Sequence, residues 1–303
     1  MALVKSGKLS KWSKTDRTVM FFMLLPFLSL FIIFTVIPVL SSVGLSFFSY
    51  DMLNKPEFTG ISNYYRMIVQ DDVFSVSLKN TLIFAVVTGP VSFFLSFILA
   101  WMINEFGPRS RAFLSFVFYS PALIGNVYLI WQVMFSGDSY GYVNSLLLSL
   151  DMISEPIQWF NDPRYSMTLV IIVQLWMSMG VAFLANIAGL QNVNDELYEA
   201  GSIDGIRNRW MELWYITLPT MKSILLFSAV MQIQATFSIG TIAVTLTGFP
   251  SVNYSTQTIV THLSDVALTR FEMGYAAAIS VFLFAMMSLT RVLVGKLLDS
   301  TGK

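Results

Sequence analysis

The sequence lacks cysteine and has a single histidine, His262, among its 303 residues. Disulfides, thiolate metal sites and cysteine nucleophiles are therefore excluded. A lone histidine also has no second histidine with which to form a metal site or an acid–base pair, and we expect His262 to be a polar loop residue.

Charge is scarce as well. Only 12% of the residues are charged, against about 25% in a typical globular domain. The formal net charge is zero, so nothing indicates an attraction to nucleic acid.

Apolar residues make up 55% of the chain, and the mean hydropathy is +0.67. Helices that span a bilayer need about 20 mostly apolar residues. Backbone groups in lipid must bond within their own segment, so long apolar runs are expected to be helical. The sequence thus predicts an all-α polytopic membrane protein with a transmembrane domain over residues 18–295, between tails at 1–17 and 296–303. The predicted spans are approximately 19–46, 80–104, 112–136, 166–189, 223–248 and 273–294.

The basic residues of the first tail resemble the start of a signal peptide. However, the apolar run that follows is far longer than the roughly 7–15 residues of a signal-peptide core, so we predict an uncleaved anchor. With the N-terminus inside, 13 of the 18 Lys and Arg residues fall on inner segments and five on outer segments. This excess predicts that both termini lie in the cytoplasm.

The predicted inner loop over residues 191–221, together with Lys222 directly after it, carries eight charges between two uncharged runs. Asn192 or Asn194 is placed to cap a helix whose first turn holds acidic residues, which the helix dipole favours. Gly205 is placed to end that helix in a left-handed conformation. Beyond it, Trp210 and Trp214 recur with apolar residues at helical spacing, predicting a second helix with an aromatic face. The loop is therefore expected to form a helix, a turn and a second helix.

An amphipathic loop on the inner leaflet is the simplest alternative, but it predicts an excess of Lys and Arg. The segment from Asp195 to Lys222 has five acids and three bases, which indicates a protein partner. Arg207 and Arg209 are expected to act as positive anchors at the inner surface rather than in specific pairs. Trp210 and Trp214 could pack on the chain's own helix ends or contact the partner.

Three short segments of this loop resemble a known motif. Glu199-Ala200-Gly201, then Asp204-Gly205, then Ile216-Thr217-Leu218-Pro219 are similar to the EAA loop of binding-protein-dependent ABC importer permeases. Two departures from that pattern occur. Gly201 replaces the last Ala, and ten rather than nine residues separate Gly205 from Ile216. Gly201 should loosen the first helix by up to ~1 kcal/mol relative to Ala.

A second resemblance lies in the first outer segment. The stretch from Phe58 to Tyr64, with Lys79-Asn80-Thr81 after it, is similar to the outer signature of carbohydrate-type permeases. Together the two motifs imply the type I ABC importer fold and the family of maltose, glycerol-3-phosphate, lactose and multiple-sugar permeases, in the cytoplasmic membrane of a bacterium.

The resemblance implies that the 191–221 loop, hereafter the coupling loop, docks on a cytoplasmic ATPase. The ATPase-coupling positions carried over are Glu199, Ala200, Gly201, Asp204, Gly205, Leu218 and Pro219. The implied partners are a second permease, two ATPase subunits, an extracellular solute-binding protein, a sugar and the bilayer. The chain contains no phosphate-binding loop, so ATP and Mg²⁺ would be held by the ATPase, and the chain itself binds no cofactor or metal.

Polar residues within apolar spans usually face an interior cavity. Gln174, Met177, Ser178 and Val181 share one face if the fourth span is a regular helix, and Gln232 and Thr236 are neighbours on the fifth span. Asn126 is a further candidate for a substrate path. Each of these residues could instead bond neighbouring helices, as we expect for Gln234 and Ser238. Trp176 points away from Gln174 and is expected to pack against a neighbouring helix or lipid.

Other functions remain open from the sequence. An ABC permease could carry a polyol, a glycerophosphodiester or a peptide. An ion-coupled secondary transporter would need carboxylates inside the membrane and internal repeats, and a membrane-embedded enzyme would need clustered His, Asp or Glu at the membrane face. We find neither pattern. The leading prediction is a sugar permease subunit and not an enzyme.

Overall fold

The computed structural model describes residues 14–237 and 239–300. These residues are mostly helical, with one short antiparallel hairpin in which Phe48–Ser49 pairs with Glu57–Phe58. The all-α prediction is confirmed. Lys5, Lys8, Lys11, Ser238 and residues 301–303, on which parts of the sequence predictions fall, lie outside the described residues.

The helices follow the apolar runs of the sequence, and short π-helical turns continue several of them. In chain order the α-helices are Lys14–Phe31, Ile37–Leu45, Ser62–Tyr65, Asp72–Asn104, Pro108–Leu123, Leu129–Met134, Tyr142–Ser149, Pro163–Met177, Val181–Gln191, Asp195–Ile203, Arg209–Glu212, Leu218–Thr220, Lys222–Phe237, Gly240–Thr247, Ile259–Ser264 and Met273–Ser300. The π-helical turns are Ile32–Val36, Arg66–Gln70, Leu213–Thr217 and Asp265–Thr269, and Val252–Tyr254 is a 3-10 turn.

Among the described residues, five helical stretches are long and apolar enough to cross a membrane. They are Thr18–Leu45, Asp72–Asn104, Pro163–Gln191, Lys222–Thr247 and Met273–Lys296. Each corresponds to a predicted span, so five of the six predicted runs are helices of sufficient length. The chain is therefore a multi-pass membrane protein.

The third predicted span, 112–136, is not one continuous helix. Helix Pro108–Leu123 ends at Ile124, and a second helix begins only at Leu129. At 1.5 Å per residue the first piece is about 24 Å long, shorter than a hydrocarbon core of about 30 Å. Gly125 and Asn126, two residues that favour turns, lie in the break. Absence of charge alone could not reveal this interruption.

The second span begins earlier than predicted. Its helix runs from Asp72, eight residues before the charge-free stretch, because the Asp71 carboxylate caps it by accepting a hydrogen bond from the Phe74 N–H at 2.9 Å. A charged residue can lie in a helix beyond the lipid core, so a boundary set by the last charge comes too late. The fourth span is interrupted between Met177 and Val181.

The core of the bundle is formed by Asp72–Asn104, Val181–Gln191 and Lys222–Phe237, which pack against one another. Phe97 and Phe183 are buried at this contact. By contrast, the most apolar window of Thr18–Leu45 has no buried residue. That window therefore presents its apolar surface outward, whereas Ile37–Leu45 at the end of the stretch packs against Met273–Ser300.

The coupling loop lies at one end of the bundle, because helices Pro163–Gln191 and Lys222–Thr247 lead into and out of it. At the opposite end, residues of the second resemblance motif join separate segments. The Asn63 amide donates to the carbonyls of Ser46 and Phe48, and the Asn80 amide donates to those of Tyr254 and Gln257. These side chains hold the irregular segments in place.

His262 is not a loop residue, and that prediction is wrong. It lies in helix Ile259–Ser264, is fully buried, and places Nε2 2.9 Å from Oδ2 of Asp71. The Tyr275 hydroxyl donates to the same oxygen at 2.6 Å. Burial acts to raise the pKa of the Asp71 carboxyl, but hydrogen bonds from His262, Tyr275 and the Phe74 N–H outweigh it and hold that pKa well below its usual range. A carboxylate partner 191 positions away in sequence is what allows the ring to be buried.

Candidate functional site

The coupling loop begins with helix Asp195–Ile203, as predicted. Asn194, and not Asn192, is its N-cap, with the Asn194 side chain accepting a hydrogen bond from the Glu196 N–H at 3.2 Å. Asp195 and Glu196 occupy the first turn, where the positive end of the helix dipole stabilises their negative charges.

Gly205 ends this region in the left-handed conformation, with φ +95°, and nothing lies within 4 Å of the position that a side chain would take. The prediction for Gly205 is confirmed. Gly201 has a different role, because a Cβ there would lie 2.7 Å from Cδ1 of Ile216. The departure from the family motif at Gly201 therefore permits close packing of the first helix on the segment that re-enters the bundle.

The second half of the loop is less regular than predicted. Asn208 caps helix Arg209–Glu212, and a π-helical turn over Leu213–Thr217 follows. Leu213 is buried, whereas Trp210 and Trp214 are 63% and 65% exposed. Thr217 is buried as well, so the prediction that Leu213 and Thr217 share the face of the two tryptophans is wrong. Trp210 packs against Trp101 of helix Asp72–Asn104 with 5.3 Å between ring centroids, in line with the expectation that it packs on the chain's own helix ends.

The two halves are joined to each other and to the bundle. The Tyr198 and Thr217 hydroxyls are 3.0 Å apart. Arg209 pairs with Glu105 at 2.7 Å and with Glu212 at 2.8 Å, and the hydrogen bond to Glu212 raises the pKa of the Arg209 guanidinium. Because Glu105 follows helix Asp72–Asn104 directly, Arg209 ties the loop to the end of a core helix. The expectation that Arg209 makes no specific pair is wrong.

The two faces of helix Asp195–Ile203 differ. Gly201 is buried on the bundle side, whereas Leu197 is 43% exposed and Ile203 is 86% exposed. Glu199 and Ala200 are exposed beside them. The loop therefore presents an apolar and acidic ridge away from the protein, on a base fixed by packing and ion pairs.

Four of the predicted substrate-path residues lie on the fourth and fifth spans, near the interruption of the fourth. Gln174, Ser178, Gln232 and Thr236 are all buried. The Gln232 amide donates to the Ser178 carbonyl at 3.2 Å, at the point where the fourth span is interrupted. The Ser178 carbonyl also accepts from the Gly180 N–H at 2.8 Å, so Gln232 supplies a second donor at the point where the regular helical hydrogen bonds end.

The other predicted path residues do not join this group. Met177 is half-buried and packs in a neighbouring apolar cluster. Val181, after the interruption, is 51% exposed, so it does not share a face with Gln174. Asn126 is exposed in the break of the third span and accepts a hydrogen bond from the Tyr128 hydroxyl at 3.0 Å. Trp176 packs edge-on against Trp131 with 5.8 Å between ring centroids, which confirms its expected role.

Comparison with known proteins gives the family. Residues 92–300, which contain the whole coupling loop, match the family described as binding-protein-dependent transport system inner membrane component. The chain belongs to this family. It is therefore a transporter permease subunit, and the resemblance inferred from the loop motif is confirmed.

The permease is similar to several curated proteins. It is 30% identical to the probable ABC transporter permease protein YesP of Bacillus subtilis over 95% of this chain and 93% of YesP. It is 34% identical to the lactose transport system permease protein LacF of Rhizobium radiobacter, over 72% of this chain and 70% of LacF. The arabinooligosaccharides transport system permease protein AraP of Bacillus subtilis is 30% identical over 91% of this chain and 87% of AraP.

The fold of the permease also matches a solved structure. A chain from the crystal structure of a bacterial ABC transporter involved in the import of the acidic polysaccharide alginate superposes with a TM-score of 0.79 and 22% identity. The match covers 95% of this chain and 98% of that chain.

Sequence reasoning missed a polar row on the longest helix of the permease. Its members are hydroxyl residues, and all are buried: Ser77, Thr81, Thr88, Ser92 and Ser96. Thr88 Oγ1 lies 3.3 Å from Thr236 Oγ1, and the Asn186 amide donates to Ser96 Oγ at 3.4 Å. Their spacing of four or seven residues was visible in the sequence as a signal of one helix face. These hydroxyls extend the polar interior beyond the two spans that were considered.

Proposed function

We propose that this permease is one of two non-identical membrane subunits of a bacterial ABC importer that moves a sugar or oligosaccharide into the cytoplasm. Two ATPase subunits would hold ATP and Mg²⁺ and drive alternating access, and a solute-binding protein would deliver the sugar from outside. The exposed ridge of helix Asp195–Ile203 is the observation that carries this proposal. The loop is held to the bundle by the Arg209–Glu105 pair, and its exposed apolar residues Leu197 and Ile203 are suited to a groove on a partner protein.

The sugar assignment rests on the relatives. LacF and AraP are named for lactose and arabinooligosaccharides, and the permease aligns with most of the length of each. The uncharged interior supports this assignment, because amides and hydroxyls both donate and accept hydrogen bonds, as sugar hydroxyls require.

The proposed topology has six crossings with both termini in the cytoplasm. The broken segment Pro108–Leu123 and Leu129–Met134 would provide the third crossing, because non-helical backbone is tolerated within a membrane where protein or a water-filled cavity surrounds it. The coupling loop then faces the cytoplasm, and the end that carries Asn63, Asn80 and His262 faces outward.

The proposed substrate path runs along Gln174, Met177, Ser178, Gln232 and Thr236, with Asn126 at its side. Four of these residues are buried in the described conformation, so a passing sugar would need the fourth and fifth spans to separate. Alternating access provides such a change by moving one group of helices against another.

Docking of the coupling loop on the ATPase can be tested directly. Glu199 would pair with a basic residue of the ATPase, so Glu199→Lys should abolish sugar uptake and prevent co-purification of the ATPase while the permease still inserts. Gly205→Asp should have the same effect because it strains the turn. Normal uptake and normal co-purification with both variants would refute the docking role.

A further inference from the structure

A cavity of about 380 Å³ opens at the end of the bundle opposite the coupling loop. This volume falls within the ~300–1,000 Å³ typical of small-molecule sites. Three segments form its walls: residues 132–137 after the break in the third span, residues 158–161 before the fourth span, and residues 245–248 at the end of the fifth. None of the residues predicted for the substrate path lines it.

Hydrogen bonds fix these walls relative to one another. Asn144, which is fully buried, donates to the carbonyls of Ser136 and Ile157 and accepts from Trp159 Nε1 at 2.8 Å. The Gln158 amide donates to the Gly137 carbonyl at 2.6 Å, and the Gln132 amide donates to that of Thr245. The cavity is therefore shaped before any ligand arrives, which lowers the entropic cost of binding.

Aromatic rings form its apolar surface. Phe135 lies edge-on to Trp159, with 5.5 Å between centroids, and to Phe160 at 6.4 Å, and all three rings line the cavity. The apolar C–H face of a sugar ring can pack on such a surface. Gln132, Gln158 and Asn161 place carboxamides beside the rings, where oxygen atoms can accept from sugar hydroxyls.

The cavity carries no formal charge. Among the described residues, its lining includes no Asp, Glu, Lys or Arg. Asp138 follows Gly137 directly, but its carboxylate accepts from the Ser136 hydroxyl at 2.9 Å and from the Gly141 N–H at 2.7 Å. Nothing in the lining would compensate a buried carboxylate or sulfonate, which makes binding of an acidic sugar costly.

We propose that this cavity is an entry subsite for one unit of an uncharged saccharide, separate from the path through the membrane. This proposal rests on the proposed function, because it takes a saccharide as the substrate. It places a first sugar-binding position at the outer end of the bundle and restricts it to neutral sugars. The structural relative, by contrast, is involved in the import of an acidic polysaccharide.

Binding by the full-length permease in nanodiscs tests the subsite. Saturation-transfer NMR with millimolar lactose, maltotriose and arabinotriose should detect contact with at least one of them. The double variant Gln158→Ala, Asn161→Ala removes two exposed carboxamides, and losing their hydrogen bonds should weaken that contact roughly tenfold. Gln70→Ala, an exposed amide at the same end that does not line the cavity, should bind like the wild type.

Three results would overturn the subsite. These are no contact between the wild type and any of the three sugars, equal binding by the double variant, or equal binding of trigalacturonate and a neutral trisaccharide. Uptake by cells separates this failure from failure of the proposed function. If deletion of the permease abolishes uptake of a neutral sugar but the double variant transports it normally, the subsite alone is wrong. If deletion leaves uptake of every sugar intact, the proposed function is wrong as well.

Discussion

At the scale of single residues, two glycines in the coupling loop have different structural requirements. Gly205 adopts φ +95°, a left-handed conformation that glycine takes without a steric penalty. From the sequence, Gly201 could be described only as a residue of low helix propensity. Its actual requirement is a contact with Ile216, fifteen positions away, and local periodicity carries no information about which side chain meets which after the loop folds.

The contact between Gly201 and Ile216 makes a testable pair. Gly201→Ala restores the family motif but places a methyl group 2.7 Å from Ile216 Cδ1. Overpacking costs about 1–3 kcal/mol. Cδ1 of Ile216 and Cδ1 of Ile206, 3.1 Å away, both end flexible side chains, so we expect a cost at the low end of that range, slightly above the up to ~1 kcal/mol that alanine adds through helix propensity. The variant should therefore lower the melting temperature of the purified permease, and adding Ile216→Val, which removes Cδ1, should restore it. Ser202→Ala, on the exposed side, is the control, and strictly additive effects of Gly201→Ala and Ile216→Val would contradict the contact.

The hydrogen bonds of the Asp71 carboxylate predict how the stability of the permease depends on pH. Its pKa is lowered in the folded state by bonds from His262 and Tyr275, so its charge stabilises the fold fully above an unfolded pKa of about 3.9. That stabilisation is lost as the pH falls from there through the folded pKa. Asp71→Asn should therefore destabilise the permease at neutral pH by roughly 1–3 kcal/mol, and the difference from the wild type should shrink below about pH 4. Thermal unfolding at pH 7, 5 and 3 checks this, and a difference that grows toward pH 3 would refute it.

At the scale of elements, the sequence predicted where helices exist better than where they break. Uncharged runs located all five long stretches, because only helices satisfy the backbone in lipid. The interruptions at Ser178–Gly180 and at Gly125–Asn126 escaped notice since the flanking residues remain apolar. The first of these interruptions decides the interior site, because it turns Val181 away from Gln174 and presents the Ser178 carbonyl to Gln232.

The bond from Gln232 to the interrupted fourth span can be tested by substitution. Gln232→Leu keeps the approximate volume and removes the 3.2 Å bond to the Ser178 carbonyl, which retains its bond from the Gly180 N–H. We expect a loss of about 0.5–1.5 kcal/mol in stability together with slower sugar uptake. Met231→Leu on the same helix keeps the bond and serves as the control. Unchanged stability of Gln232→Leu would show that this bond does not support the interrupted helix, and unchanged uptake and specificity would remove Gln232 from the substrate path.

At the scale of the whole molecule, the distribution of apolar and charged residues predicts two surfaces that contact something outside the chain. The apolar helix Thr18–Leu45 has no buried residue in its most apolar window, as expected for a surface covered by lipid or a second membrane subunit. The acidic and apolar ridge at Leu197 and Ile203 is exposed and is the surface on which the proposed ATPase would dock. Charge counting predicted which end faces the cytoplasm, but it carries no information on how the loop is fixed to the bundle, which depends on the Arg209–Glu105 pair.

The chain's lack of cysteine allows the central claim to be tested with single introduced thiols. Ile203→Cys lies on the ridge and Tyr140→Cys at the opposite end, at positions that are 86% and 92% exposed. A membrane-impermeant maleimide applied to intact cells should label Tyr140→Cys and leave Ile203→Cys unlabelled until the cells are broken. A photo-crosslinker on Ile203→Cys should then capture a nucleotide-hydrolysing subunit. Labelling of Ile203→Cys from outside, or a crosslink that never includes such a subunit in the intact complex, would contradict the account.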